Sequence, residues 1–187
     1  MNKGKLFVIT GPSGAGKDSL IAKMRAKGLK FHFVVTTTSR PPRAGEVEGR
    51  DYHFVSREEF QKIIGEGGLL EYAEVYGNYY GSTVKALKNS LADNKVVILQ
   101  IDPQGAKTIK GKFPETRIIF IAPPTMENLR KRLEKRGKDS PEVIGKRMKA
   151  AEQELAEAQK WDRIIVNEEN GLNEAAEKTM EYIKNSL

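Results

Sequence analysis

The amino-acid sequence predicts an α/β fold in which a mainly parallel sheet carries helices on both faces. The first observation is that short apolar runs, rich in Val, Ile and Phe, alternate with segments whose apolar residues recur every three or four positions. Continuous apolar runs are typical of strands buried on both faces, whereas the longer spacing is typical of one helix face. The second is that this alternation joins successive strands through helices, which favours parallel strands.

Five apolar runs are predicted as the main strands, and a shorter strand is predicted at 52–55. The five are residues 6–10, 31–36, 96–101, 118–122 and 164–166. Two stretches, 36–82 and 126–161, interrupt the alternation and are interpreted as attachments to the sheet. The helices are predicted from the apolar sets Leu20/Ile21/Met24, Phe60/Ile63/Ile64, Val84/Leu87/Leu91, Met126/Leu129/Leu133, Val143/Ile144/Met148/Leu155 and Ala176/Met180/Ile183/Leu187.

The composition excludes several classes of protein. The 187 residues, 39% hydrophobic and 30% charged, predict one compact domain with a substantial core. The absence of cysteine excludes disulfides and thiolate chemistry, and two histidines exclude a multi-histidine metal site. No apolar stretch approaches the ~20 residues of a membrane span, so we expect a cytoplasmic protein without a membrane partner.

A phosphate-binding loop is predicted where the first strand meets the first helix. Its spacing is G-x-x-x-x-G-K, in which glycines let backbone N–H groups curl around a polyphosphate and the helix adds its positive end. Lys17 reaches the terminal phosphates as a point charge. The loop predicts binding of ATP or GTP. The predicted nucleotide-binding residues are Gly11, Pro12, Ser13, Gly14, Ala15, Gly16, Lys17, Asp18 and Ser19.

The residue after the loop lysine departs from the pattern, which has a Ser or Thr there as a magnesium ligand. Asp18 occupies this position, and Ser19 lies ~100° further round the helix. A carboxylate beside a triphosphate is repelled unless a cation lies between them. We therefore expect Mg²⁺ as cofactor, with Asp18 binding the ion or one of its waters.

Further motifs, in order along nearly the whole chain, resemble the guanylate kinase family, whose members phosphorylate GMP. The longest are Thr-Thr-Thr-Ser-Arg-Pro-Pro-Arg-Ala-Gly-Glu-Val-Glu-Gly-Arg-Asp-Tyr-His-Phe-Val at 36–55 and Leu-Glu-Tyr-Ala-Glu-Val-Tyr-Gly-Asn-Tyr-Tyr-Gly-Ser at 70–82. Shorter matches lie at 102–106, 120–124 and 132–137. The resemblance implies a P-loop NTPase-type fold with ATP and GMP as substrates.

The resemblance also implies a clamp for the phosphate of GMP. Arg40, Arg43, Tyr52 and Tyr80 match the family's residues at this place. The chemistry agrees, because arginine offers a planar fork of donors and tyrosine a hydroxyl on a rigid ring.

Glu71 matches the glutamate with which the family reads guanine. Guanine presents N1–H and an exocyclic amine, and one carboxylate can accept from both. The N1 of adenine is an acceptor, so AMP leaves the carboxylate unpaired. Thr36, Ser82 and Asp102 match neighbouring polar positions around the base.

The basic segment after residue 125 resembles the family's lid over ATP. Arg132, Arg136 and Arg147 match its arginines and, with Lys17, are the expected catalytic residues. Asn167 matches a residue near adenine. Four other cations are interpreted as solvated charge, and the lack of interleaved aromatic residues argues against nucleic-acid binding despite the net charge of +7. These four are Arg130, Lys131, Lys135 and Lys138.

A second departure lies two residues before Asp102, where family members usually carry an acid near the magnesium shell. This chain has Gln100 there. One hypothesis is that Asp18 compensates for the acid missing at Gln100. The alternative is that Gln100 is incidental and Asp18 only complements the helix dipole.

We therefore predict a single guanylate kinase-like domain that phosphorylates GMP, and also dGMP, in purine nucleotide metabolism. Its core is 1–36, 86–124 and 161–187, its GMP-binding region 37–85 and its lid 125–160. Two alternatives stay open: a kinase resembling ribose-bisphosphate phosphokinases, some of which have Asp after the loop lysine, and a guanylate-kinase-like module without catalysis. Monomer and homo-oligomer are both compatible with the sequence.

Overall fold

The computed structural model describes residues 4–75, 77–137 and 139–187. By contacts the chain divides into two compact units. The first comprises residues 1–6 and 31–116, and the second residues 7–30 and 117–187. Tyr76 lies outside the described residues. So does Lys138, which is one of the cations predicted to be solvated.

The second unit contains parallel strands and four helices. Strand β1 (Lys5–Thr10) begins in the first unit, and from Phe7 onward it pairs in parallel with β8 (Arg117–Ala122). β8 in turn pairs in parallel with β9 (Arg163–Val166). The helices are α1 (Lys17–Ala26), α5 (Met126–Arg136), α6 (Pro141–Ala156) and α7 (Leu172–Asn185).

The first unit contains a parallel pair and a separate four-stranded sheet. The parallel pair is β2 (His32–Phe33) with β7 (Val96–Gln100). The four-stranded sheet has the order β4-β3-β6-β5, with only β3 and β4 parallel. Its strands are β3 (Thr37–Thr38), β4 (His53–Phe54), β5 (Leu69–Val75) and β6 (Asn78–Thr83), and the helices of the unit are α2 (Arg57–Gly65), α3 (Val84–Asp93) and α4 (Pro103–Lys112).

These elements confirm an α/β fold with mainly parallel central strands flanked by helices. Every predicted helix is present, because each has a continuous apolar face that packs inward. The predicted strand at 31–36 is wrong in its extent. Within it only β2 is a strand, and β3 begins directly after it, at Thr37, in a different sheet. The hairpin β5–β6 and helix α4 were not predicted.

The stretch after residue 125, interpreted as an attachment to the sheet, contains a small hydrophobic core of its own. Its two helices, α5 and α6, pack through buried Leu129, Leu133, Ile144, Met148 and Ala151. Among the described residues, no helix is both long and apolar enough to cross a membrane.

Candidate functional site

The glycine-rich loop of the second unit has a backbone that requires glycine. Gly11, Gly14 and Gly16 have φ values of 130°, 91° and 94°. L side chains rarely adopt this region. A Cβ on Gly11 would also lie 2.2 Å from the backbone oxygen of Ile121. The loop therefore passes so close to β8 that only glycine fits, and α1 begins directly after it.

The ammonium group of Lys17 lies over the loop. Its Nζ donates to the backbone oxygens of Gly11 (2.5 Å) and Pro12 (2.9 Å). Ala15 N closes a turn inside the loop by donating to Pro12 O at 3.1 Å. A cation beside a glycine-rich loop that leads directly into a helix N-terminus suits a polyphosphate.

Asn167 and Arg132 both support the loop at Ala15. The Asn167 Nδ2 donates to Ala15 O at 2.8 Å, and Arg132 Nη1 donates to the same oxygen at 3.4 Å. Arg132 Nη2 also donates to Asn167 O at 2.7 Å. A Cβ on Gly16 would lie 2.4 Å from Asn167 Nδ2. These contacts tie the segment after β9 and helix α5 to the phosphate loop.

Arg147, on α6, reaches the loop from another direction. Its Nη1 donates to Ser13 Oγ at 2.9 Å, and its Nη2 forms an ion pair with Asp139 Oδ1 at 2.9 Å. Both side chains of the ion pair are about nine-tenths buried. Asp139, just before α6, therefore orients Arg147 toward the loop. In contrast, Arg136 at the end of α5 is exposed, as are Asp18 and Ser19 in the first turn of α1.

In the first unit, one carboxylate organises the two predicted phosphate arginines. Arg40 is buried, and its Nη2 donates to Glu46 Oε1 (2.8 Å) and Oε2 (2.9 Å). Glu46 Oε2 also accepts from the backbone N of Arg43 at 2.7 Å. Burial lowers the pKa of Arg40, but the carboxylate of Glu46 and the hydroxyl of Tyr80 outweigh it and raise the pKa. Arg40 Nε has no hydrogen-bond partner among the described residues.

The two predicted phosphate tyrosines lie beside Arg40. The rings of Tyr52 and Tyr80 contact edge to face with centroids 6.0 Å apart. The Arg40 guanidinium carbon lies 5.6 Å from the Tyr52 ring centroid and 5.9 Å from that of Phe54. The fold thus brings Arg40, Tyr52 and Tyr80 together in one cluster.

Glu71, on β5, is a buried carboxylate. It is 5% exposed, and its Oε1 has no hydrogen-bond partner in the described part of the chain. Ser82 lies opposite it on β6. Burial raises the pKa of Glu71 to about 7. The charge of Asp102 acts in the same direction, while Ser82 and Lys112 oppose it.

The remaining predicted base-site residues have backbone roles as well. Asp102 caps α4, since its Oδ1 accepts from Gly105 N at 2.9 Å. Thr36 is buried, and its backbone oxygen accepts from His53 N at 2.8 Å. His53 itself is exposed and contacts Glu48 through Nδ1 at 2.8 Å.

The buried carboxylate predicts a pH-dependent stability. The folded chain binds the Glu71 proton more tightly than the unfolded chain, so Glu71 stabilises the fold at low pH. That contribution is lost as pH rises from about 4.5 through about 7. The free energy of unfolding of Glu71→Gln is therefore expected to exceed that of the parent by roughly 2–3 kcal/mol at pH 8, but by only about 1 kcal/mol at pH 5.

Urea denaturation at both pH values measures this difference. Glu74→Gln is the matched control, because Glu74 is on the same strand but exposed, with only a 3.3 Å ion pair to Arg57. Equal stabilisation of the Glu71 variant at pH 5 and pH 8 contradicts the expectation.

The sequence did not identify three residues that the structure brings to these clusters: Glu46, Asp139 and Gly105. Glu46 stands inside the 36–55 motif, three residues from Arg43, and only its acidic character could have indicated it. Asp139 precedes the Ser-Pro start of α6, an ordinary helix-cap context. Gly105 lies inside the 102–106 motif, which the other glycine of its helix does not, but the motif alone does not indicate a contact with Glu71.

Comparisons with known proteins give one consistent family. The family described as guanylate kinase matches residues 3–186. A guanylate kinase of Synechocystis is 44% identical over 97% of this chain and 94% of its own, and one of Thiobacillus denitrificans is 45% identical over 89% and 79%. The crystal structure of guanylate kinase from Anaplasma phagocytophilum superposes with a TM-score of 0.78 at 32% identity, covering 98% of this chain and 86% of that chain.

Proposed function

The chain belongs to the guanylate kinase family, and on this premise we propose how its described residues carry out ATP-dependent phosphorylation of GMP to GDP. The observation that carries the assignment of the acceptor is the buried carboxylate of Glu71, whose Oε1 has no hydrogen-bond partner among the described residues. A polar atom buried without a partner is costly, and a ligand that donates to it relieves that cost.

Guanine is the base that suits this carboxylate. Its N1–H and exocyclic amine both donate, and the ionised Glu71 accepts from both. Ser82, opposite Glu71, has a buried hydroxyl without a partner among the described residues and supplies a further polar contact. Thr36 and Asp102 complete the proposed base site.

The phosphate of GMP is assigned to the cluster around Arg40. Its unpartnered Nε, the side chain of Arg43 and the hydroxyls of Tyr52 and Tyr80 are the proposed donors. Both carboxylate oxygens of Glu46 accept hydrogen bonds from Nη2 of Arg40, so the guanidinium is held in one orientation before the substrate arrives. Preorganised donors lower the entropic cost of binding.

ATP is assigned to the loop of residues 11–17 with Asp18, Ser19 and Asn167. The backbone N–H groups hold its phosphates, and Lys17 moves from the loop carbonyls to the terminal phosphates. Of the lid arginines, Arg147 already reaches the loop at Ser13, and Arg132 reaches it at Ala15. Arg136 is exposed and is proposed to reach ATP when the lid closes.

The reaction is an in-line phosphoryl transfer. An oxygen of the GMP phosphate attacks the γ-phosphorus of ATP, a new P–O bond forms, and the bond from the γ-phosphorus to the β,γ-bridging oxygen breaks to release ADP. The attacking oxygen carries no proton, so no general base is needed. Catalysis therefore rests on alignment and on stabilising the charge of the transferring group, which Lys17, Arg132, Arg136 and Arg147 supply.

Mg²⁺ is the proposed cofactor, and the donor set fits it. Asp18 presents an exposed carboxylate in the first turn of α1, beside the phosphate loop. Mg²⁺ is commonly held by one or two carboxylates together with substrate phosphates and waters. Asp18 would hold the ion or one of its waters, and the ion would neutralise charge on the phosphates. We also propose a cytoplasmic enzyme.

A double-mutant cycle tests whether Asp18 replaces the acid missing at Gln100. If the two positions compensate, Gln100→Asp restores part of the kcat/KM lost in Asp18→Ser, so the two effects are not additive. Additive effects contradict the compensation. Titrating Mg²⁺ in each variant separates the metal from other causes, because a metal ligand changes the Mg²⁺ concentration needed for half-maximal rate.

Glu46→Gln is expected to raise KM for GMP about tenfold, with a smaller change in kcat. The amide keeps one acceptor for the backbone N of Arg43 but loses the charge that holds Arg40. Initial rates at varied GMP concentration measure the split. Glu48→Gln is the control, since Glu48 is exposed and contacts His53 instead. An unchanged KM for GMP contradicts the assignment.

An ADP-release assay with Mg-ATP tests the function as a whole. GMP, dGMP, AMP, CMP, UMP and a ribose bisphosphate are compared as acceptors. Turnover with GMP and dGMP alone supports the proposal. Turnover with the sugar phosphate supports the alternative of a related small-molecule kinase, and GMP binding without turnover supports a module that binds only. The division into core, GMP-binding region (37–85) and lid (125–160) remains part of the proposal.

A further inference from the structure

Helix α4 presents a glycine to the carboxylate of Glu71. A Cβ built on Gly105 would lie 2.7 Å from Glu71 Oε2, 3.3 Å from Glu71 Cδ and 3.3 Å from Ile101 Cδ1. Side-chain carbons do not approach other heavy atoms within 3.0 Å, so any larger residue at 105 must displace the carboxylate. Glu71 is 5% exposed, so the carboxylate that would be displaced is a buried one.

The position of Gly105 is itself held by its own helix. Its backbone N donates to Asp102 Oδ1, the N-cap of α4, at 2.9 Å, and Pro103 occupies the first turn. Lys112, at the other end of α4, donates to the backbone oxygen of Leu70, the residue before Glu71. The first turn of α4 is thus fixed by its own cap, and its last residue is attached to β5, so a movement of Gly105 away from Glu71 disturbs these contacts.

From these contacts we infer that Gly105 is a positioning residue for guanine recognition. Because glycine has no side chain, the space beside α4 stays open and the Glu71 carboxylate occupies it. The inference rests on the proposed role of Glu71. A side chain at 105 pushes the carboxylate out of line with the N1–H and amine of guanine. The fold itself tolerates the change, because the contact is made by the end of a side chain and not by backbone.

Glycine at 105 also has a cost for the stability of its helix. Gly105 lies inside a ten-residue helix, where glycine is less favourable than alanine. Its φ is outside the left-handed region, so the backbone does not require glycine there. The same helix contains Gly111, whose Cβ would meet nothing within 4 Å. Gly111→Ala is therefore a matched control with the same chemical change and no contact with Glu71.

The test measures KM and kcat for GMP, the GMP/AMP ratio and the melting temperature of both alanine variants. For Gly105→Ala we expect kcat/KM for GMP to fall roughly 10- to 100-fold, mainly through KM, with KM for ATP and the melting temperature near those of the parent. For Gly111→Ala we expect no change in GMP kinetics. A Gly105→Ala enzyme with parental KM for GMP overturns the inference, and so does a lower melting temperature with unchanged KM.

Two further variants separate this inference from the proposed function. Glu71→Asp shortens the acid and leaves room at 105, so the added effect of Gly105→Ala should be much smaller in that background, and equal effects in both backgrounds overturn the inference. If Gly105→Ala alone does not fold, recovery of folding in the Glu71→Asp background supports the contact and failure to recover overturns it. If Glu71→Gln retains the GMP kinetics of the parent, the proposed role of Glu71 is wrong. If Glu71→Gln loses activity with GMP while Gly105→Ala keeps the parental kinetics, the role of Glu71 stands and only the inference about Gly105 is wrong.

Discussion

Replacing Lys17 with methionine is expected to lower kcat by about 10²–10³-fold, with little change in melting temperature. In the proposed function, the ammonium group of Lys17 contacts the terminal phosphates of ATP. Methionine has a side chain of similar length without the charge. Removing one preorganised donor to developing charge has effects of this size. The two hydrogen bonds of Lys17 to loop carbonyls are lost as well.

Steady-state kinetics with saturating ATP and GMP measure the change in kcat. Lys131→Met is the control, since Lys131 is an exposed lysine of α5 whose ion pair is with Glu127 on the same helix. That variant is expected to keep the parental rate and a melting temperature close to that of the parent, because an exposed ion pair contributes little to stability. A Lys17→Met enzyme with more than about a tenth of the parental kcat contradicts the assignment of Lys17 to the reacting phosphates.

Replacing Glu71 with glutamine is expected to lower kcat/KM for GMP on the order of 10²–10³-fold while leaving KM for ATP unchanged. The glutamine side chain presents its NH₂ group to one of the donors of guanine. Two donors then face each other, so one hydrogen bond is lost together with the negative charge. Discrimination against AMP should shrink accordingly, because the variant no longer leaves a charge unpaired when adenine binds.

The pH profile gives this prediction a second measurement. Burial raises the pKa of Glu71 to about 7, so in the parent a growing fraction of the free enzyme carries a protonated Glu71 as pH falls below 7. The protonated acid cannot accept from both donors of guanine, and kcat/KM for GMP falls. Glu71→Gln should lack this limb of the profile, and Glu74→Gln should keep it. An identical acid limb in parent and Glu71→Gln assigns the titration to another group.

Local signals made part of this protein predictable. The phosphate loop, its strand and its helix follow from residue spacing over a dozen positions, because φ requirements and helix periodicity act locally. Helix α4 was missed, although Asp102 and Pro103 form an N-cap followed by proline in the first turn. Its two glycines and few apolar residues conceal the helical period.

Other features depend on pairing between distant segments. The hairpin β5–β6 has a sequence dense in Gly, Tyr and Glu, without the apolar runs of a buried strand. It forms because β6 pairs on both sides, with β3 and with β5. The run 31–36 reads as one strand, yet the chain leaves one sheet within it and enters the other directly after it, at Thr37. No local preference encodes this change.

The sequence by itself determined the family motifs, the phosphate loop and the α/β class, because each depends on residue types at short spacing. The tertiary structure alone decided which charges are buried and what touches them. Glu71 has a raised pKa because the fold removes water from it, and Arg40 is oriented because Glu46 lies within 2.9 Å. Gly105 lies against Glu71, 34 positions away in the chain, only because α4 packs on β5. Desolvation and close packing are properties of residues brought together from distant parts of the chain, so composition and spacing do not reveal them.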